Sequence, residues 1–173
     1  MNNWSQVFEE RFLFKNLINI YLEFIHLFSN NDLDFKSDDK FILTFLSNLE
    51  WQIVLPNKPI IQRGEQLDYL YLIAKGNVHV YSHKRGNLIA VLPKNWFFGD
   101  YQLFLDTRSN VSFYSPPNEK VFLYILQKDI FLELWREYED HLEFYMKRAL
   151  ETRKLFKRLI IKSYIQTVTN FPI

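Results

Sequence analysis

The chain has 173 residues, with 21 Lys plus Arg against 20 Asp plus Glu, so it is nearly neutral and lacks the basic bias of a nucleic-acid binder. Its composition is 48% apolar and 18% aromatic, with 17 Phe, which excludes a disordered chain and supplies a core. It has no cysteine, which excludes disulfides, thiolate metal sites and a cysteine nucleophile, and its length suits one domain.

The first residues carry Glu9 and Glu10 and no small-residue cleavage pattern, so no secretory signal is expected. The stretch from Gln6 to Phe28 reads as a helix. Lys15, Asn16, Asn19, Glu23 and His26 recur on one side of it at helical spacing, which makes it amphipathic rather than membrane-spanning. Ser29 to Asp34 breaks the pattern. A second helix is expected from Ser37 to Glu50, with Asp38 and Asp39 at its positive end.

All four glycines, Gly64, Gly76, Gly86 and Gly99, fall in the middle of the chain, where turn chemistry is therefore concentrated. Strands are expected at Trp51–Val54, Ile60–Gln62, Tyr69–Ala74, Val78–Tyr81, Leu88–Leu92, Val111–Tyr114 and Val121–Leu126. Lys84-Arg85-Gly86-Asn87 reads as a hairpin tip. Short strands so spaced suggest a small barrel or jelly roll. Two helices follow, Lys128–Glu137 and Asp140 to about Gln166. The second has seven basic residues against two acidic ones between 141 and 162. Its core-facing stripe would be Leu142, Tyr145, Met146, Ala149, Phe156 and Leu159, with the bases solvated opposite. The alternatives for that basic face are a neighbouring subunit, an anionic lipid surface or a calmodulin-like partner.

Enzyme signatures are missing from the sequence. There is no Gly-x-Ser-x-Gly, no P-loop and no dinucleotide fingerprint. His26, His79, His83 and His141 have no ligand spacing, so no metal is expected. The chain is read as a non-enzyme.

Four segments in order resemble the cyclic-nucleotide-binding domain superfamily. They are Ile60-Ile61-Gln62-Arg63-Gly64-Glu65, the run Asp68 to Val80, Trp96-Phe97-Phe98-Gly99-Asp100, and Val121 to Phe131. The version most similar is the C-terminal regulatory domain of cyclic-nucleotide-gated and ether-à-go-go-like potassium channels, of the ciliate type. The resemblance implies an α+β fold: an eight-stranded antiparallel β-roll flanked by N-terminal helices and two C-terminal helices. It divides the chain into a linker-like segment 1–36, a domain 37–166 and a tail 167–173.

The resemblance also implies a phosphate-binding cassette, made by Phe98, Gly99, Asp100, Tyr101, Gln102, Thr107, Arg108 and Ser109. Asp100 stands where the family has a Glu for the ribose hydroxyl. Anchoring on Val111 puts Thr107 at the family's Arg position, whereas a one-residue gap puts Arg108 there and Ser109 at the following hydroxyl. Side chains in a strand alternate direction, so the two registers give opposite answers. The ligand would be cAMP or cGMP, and no cofactor is expected. The implied role is a regulatory module of a cation channel, cytoplasmic, at the inner face of a membrane through a parent protein or a neighbouring subunit. The alternatives are a non-binding assembly or interaction module, with Tyr164 or Phe171 filling the pocket, and a free-standing sensor resembling a kinase regulatory subunit.

Overall fold

The computed structural model describes residues 15–30, 35–36, 39–82 and 86–169. The expected helix start at Gln6, the residues Ser37 and Asp38, the tip residues Lys84 and Arg85, and Phe171 lie outside these. The chain divides into two compact units, Met1–Leu49 and Glu50–Ile173.

In the first unit, residues 15–23 form helix α1, and α2 is Ile25–Phe28. Strands β1 (Ser29–Asn30) and β2 (Phe35–Lys36) pair antiparallel, a small ladder the sequence did not announce. Helix α3 is Asp39–Ser47, with Asp39 in its first turn, where the helix dipole favours an anion. It buries Phe41, Ile42, Phe45 and Leu46 on one face. It stops short of the expected Glu50, because the Asn48 side-chain amide donates to the Thr44 carbonyl (2.7 Å) and Glu50 already belongs to a strand.

The second unit holds two four-stranded antiparallel sheets. One has the order β3 (Glu50–Val54), β10 (Val121–Gln127), β5 (Tyr69–Lys75), β8 (Phe97–Phe98). The other has the order β4 (Pro59–Ile61), β9 (Ser112–Tyr114), β6 (Val78–Tyr81), β7 (Leu88–Leu92). The mixed α+β class with antiparallel sheets agrees with the sequence reading. The strand set differs by β8, two residues too few for a periodic signal, and by the β1–β2 ladder.

Alternation places the core. In β6, Val78 and Val80 are buried while His79 and Tyr81 are half-buried. In β10, Val121, Leu123 and Ile125 point inward. A column of aromatic rings joins the two sheets. Tyr71 stacks on Phe98 (centroids 4.9 Å apart, planes 5° apart), and Phe98 stacks on Phe113 (4.5 Å, 15°). Three helices complete the unit: α4 (Asp100–Phe104), α5 (Lys128–Glu137) and α6 (Glu139–Thr169).

Candidate functional site

The segment from Phe98 to Ser109 forms one compact structure. Phe98 ends β8, and Gly99 turns the chain at φ +99°, where a β-carbon would sit 3.1 Å from the Tyr69 carbonyl oxygen. Only glycine takes that turn without strain. Asp100, Tyr101 and Gln102 follow as the first turn of α4, and all three are buried. The Thr107 amide closes the segment by donating to the Gln102 carbonyl (3.0 Å).

Ser109 fastens the end of this segment to the β4–β5 turn. The Gly64 amide donates to its carbonyl (2.7 Å), and its own amide donates to the Glu65 carbonyl (2.8 Å). Its hydroxyl donates to the Val111 carbonyl (2.8 Å) and accepts from the Gln102 amide (3.5 Å). Strand β9 begins only at Ser112, so Thr107, Arg108 and Ser109 precede the pleat. The alternation on which the two registers were weighed therefore does not reach these residues. Hydrogen bonds orient them instead. Ser109 points in, and the Thr107 hydroxyl oxygen is buried. Arg108 is exposed, and one nitrogen of its guanidinium donates to the Gly64 carbonyl (2.9 Å).

Three of the six buried side-chain polar atoms without a hydrogen-bond partner among the described residues lie in this segment: Asp100 Oδ1, Gln102 Oε1 and Thr107 Oγ1. Buried polar atoms are rarely left unpaired, so such a cluster marks a place built to meet another polar group. Two of the three are acceptors, and Thr107 can act either way.

Asp100 is 6% exposed. Burial raises its pKa to about 6, although the neighbouring Tyr101 amide and the Arg148 guanidinium pull it down. Arg148 comes from α6 and lies over the Phe97 ring, 4.6 Å from the centroid. Its own pKa is lowered by burial, with Asp100 opposing the shift. Burial thus outweighs the mutual attraction on both sides. Burial raises the Tyr101 pKa too, with the Asp100 charge adding to it, and the Tyr101 hydroxyl donates to Asn110 Oδ1.

A pH dependence follows. An unfolded chain loses the Asp100 proton near 3.8 and the folded protein near 6, so the folded state binds the proton more firmly between the two. Stability from this group is fully present below the lower value and falls as pH rises through the window, by about 3 kcal/mol in all. Asp100→Asn keeps the shape and removes the titration. Urea midpoints at pH 5 and pH 7 are expected to differ more in the wild type than in this variant. Parallel profiles would count against the buried carboxyl.

Three sets of contacts lead from the segment to the C-terminal helices. Phe104 of α4 meets Phe131 (4.8 Å) and Trp135 (5.2 Å) of α5, and Trp135 meets Tyr145 of α6 (4.6 Å). Asp106 Oδ1 is 2.8 Å from the Lys128 ammonium, at the first residue of α5. Phe156 of α6 reaches both Tyr101 (6.2 Å) and Phe113 (6.0 Å). Farther along, the Asn87 amide donates to the Ser163 hydroxyl (3.1 Å), beside a cavity of 380 Å³ lined by Leu88, Ile89, Leu159 and Lys162. The sequence pattern groups Arg148 with the solvated bases, but it shares the inner face of α6 with Tyr145 and Phe156. Their spacing of three and eight residues was the signal available for it. Tyr164 is exposed and does not fill the segment. No group of metal-ligating side chains occurs among the described residues, and no described helix is long and apolar enough to cross a membrane.

The family profile "Cyclic nucleotide-binding domain" matches residues 52–138. Among solved structures, cAMP-bound PfPKA-R superposes with a TM-score of 0.58 at 20% identity, covering 69% of this chain and 42% of that one. The C-linker/CNBHD of zELK channels, crystallized in the presence of cAMP, superposes with a TM-score of 0.58 at 15% identity, covering 66% and 57%. At such identities the likeness is one of fold, and the chain spans about half the length of each. No curated protein matches the sequence.

Proposed function

The chain belongs to the cyclic nucleotide-binding domain family, and from that premise we propose that it is a regulatory module in which a cyclic nucleotide at Phe98–Ser109 repositions α5 and α6. The observation that carries this reading is the cluster of buried polar atoms without a hydrogen-bond partner in a segment that also holds the Arg108 guanidinium. Asp100 Oδ1 and Gln102 Oε1 suit the hydroxyl hydrogens of a ribose. Arg108 spends one donor on Gly64 and has others in the planar fork that matches a phosphate.

Binding at this place does mechanical work because α6 already rests on it. Asp100 and Tyr101 touch α6 electrostatically and sterically through Arg148 and Phe156. A ligand that fits better with α6 displaced shifts the population by its differential affinity, and by no more. Phe104 and Asp106 carry the same change to α5. The parent is proposed to be a cation channel, as the likeness to the zELK domain favours, with the module on the cytoplasmic side. The likeness to PfPKA-R favours a free-standing regulatory subunit instead.

Calorimetric titration with cAMP and with cGMP tests the reading. Heat and a rise in melting temperature are expected. Arg108→Ala is expected to weaken binding by about 10- to 100-fold, the worth of a charge-assisted hydrogen bond. The absence of heat at millimolar ligand, or an unchanged Arg108→Ala, refutes it. That result would favour a second reading, a ligand-independent interaction module. The exposure of Arg108 and the seating of Phe156 against the segment support this second reading.

A further inference from the structure

The site uses only one side of α6. Tyr145, Ala149, Phe156 and Ser163 are buried, and their spacing of four and seven residues defines the inner face of this 31-residue helix. The opposite face presents Lys147, Leu150, Lys154, Arg158, Ile161 and Tyr164 at spacings of three and four, and every one of them is exposed. Lys157 lies beside them, also exposed. Ile161 is 59% and Tyr164 49% exposed, so the face is both cationic and apolar.

The charge is concentrated. Residues 141–162 carry seven bases and two acids, a net +5 in a chain whose total is +1, so the remaining residues sum to −4. Such a segregated charge is not needed for solubility, and no carboxylate is bonded to Lys147, Lys154, Lys157 or Arg158 among the described residues. On this stripe Glu143 precedes Lys147 by one turn, Leu150 lies between Lys147 and Lys154, and Ile161 and Tyr164 follow Arg158. Most of the bases are lysine, a point charge on a flexible stem, rather than the planar fork that selects individual carboxylates. The stripe lies on one continuous helix of 31 residues. These features fit a flat, laterally averaged layer of negative charge better than a protein partner with fixed acids.

We propose that the outer face of α6 lies on an anionic lipid surface, with the helix axis in the membrane plane. Lys147, Lys154, Lys157 and Arg158 meet the headgroups while Ile161 and Tyr164 enter the acyl boundary. Neither signal holds a protein to a membrane well alone, and the two together do. The inner face stays on the roll, so docking leaves Phe156 and Arg148 in place.

The test is sedimentation of the full 173-residue chain with vesicles. Co-sedimentation is expected with vesicles of equal parts phosphatidylserine and phosphatidylcholine, and none with phosphatidylcholine alone. The triple change Lys154→Gln, Lys157→Gln, Arg158→Gln is expected to weaken binding on the order of 100-fold, roughly fivefold for each charge lost near the surface. Ile161→Ser with Tyr164→Ser is expected to weaken it on the order of tenfold while leaving its salt dependence unchanged. All these positions are exposed, and circular dichroism checks that the helix content is preserved. Equal binding to both vesicles overturns the proposal, as does no binding to the anionic ones or variants that behave like the wild type. Capture by a polyglutamate peptide without vesicle binding overturns it as well and assigns the face to an acidic protein.

Discussion

Phe156→Ala is expected to lower the unfolding free energy of the second unit by about 3–5 kcal/mol, the usual cost of emptying a buried phenylalanine site. The residue is 4% exposed and meets the end of the column Tyr71, Phe98, Phe113 edge-on, so its ring ties both sheets to α6. It also touches Tyr101, which is locked by its hydrogen bond to Asn110. Neither neighbour can collapse into the space, because Phe113 is held by the strand ladder with Ile61 and Val80 and Tyr101 by α4. Few other buried apolar side chains hold the distal part of α6, since Leu155, Ile161 and Ile165 face outward. The loss should therefore fall on the helix before the roll. Urea unfolding gives the size, and hydrogen exchange gives the place. Amides of α6 are expected to lose protection first, while β5 and β10 keep theirs. Phe156→Leu, which keeps most of the apolar volume, should recover most of the loss. A variant within about 1 kcal/mol of the wild type, below the range for such truncations, or one that loosens the sheets and α6 together, would remove Phe156 as the fastening between α6 and the Phe98–Ser109 segment.

That fastening explains what was legible in the sequence and what was not. Strands with clean alternation, such as Val78–Tyr81, announce themselves, because burial on one face writes a period of two. The glycine turns are legible for a similar reason: Gly64, Gly76 and Gly99 all have positive φ. Asp100–Phe104 forms a short helix within the segment that the resemblance marks. The orientation of Thr107 and Arg108 was open, because a register argument presupposes a strand. These residues lie in a loop shaped by the Ser109 hydrogen bonds to Gly64 and Glu65, contacts more than forty positions apart in the chain. Arg148 was hidden by its charge. A base on an amphipathic helix is ordinarily solvated, and only the tertiary position of Phe97 and Asp100 turns this one inward. Asn57, Asn95 and Asp106 adopt positive φ without glycine, which composition alone does not mark.

The glycines offer the second large effect, and they separate two causes that are usually confounded. Gly76 and Gly64 have nearly the same φ, +90° and +91°. A β-carbon on Gly64 would meet nothing within 4 Å. One on Gly76 would lie 2.9 Å from the Lys120 carbonyl oxygen, a backbone atom fixed where β10 begins. Gly64→Ala is therefore expected to cost only the left-handed conformation, about 1–2 kcal/mol. Gly76→Ala bears that same cost and must also displace the chain at Lys120. That part of the chain sets the register of β10 against β5 around the irregularity at Phe122 and Leu123. The total is expected to reach about 3–4 kcal/mol, in the range of overpacked cores. Since the unit as a whole is worth on the order of 5–15 kcal/mol, the Gly76 variant should melt far earlier than the Gly64 variant. Thermal unfolding of the two side by side measures the clash as their difference. Equal melting temperatures would mean that the β5–β6 turn yields freely to the added methyl, and that the close approach of Gly76 to Lys120 does not hold the two central strands in register.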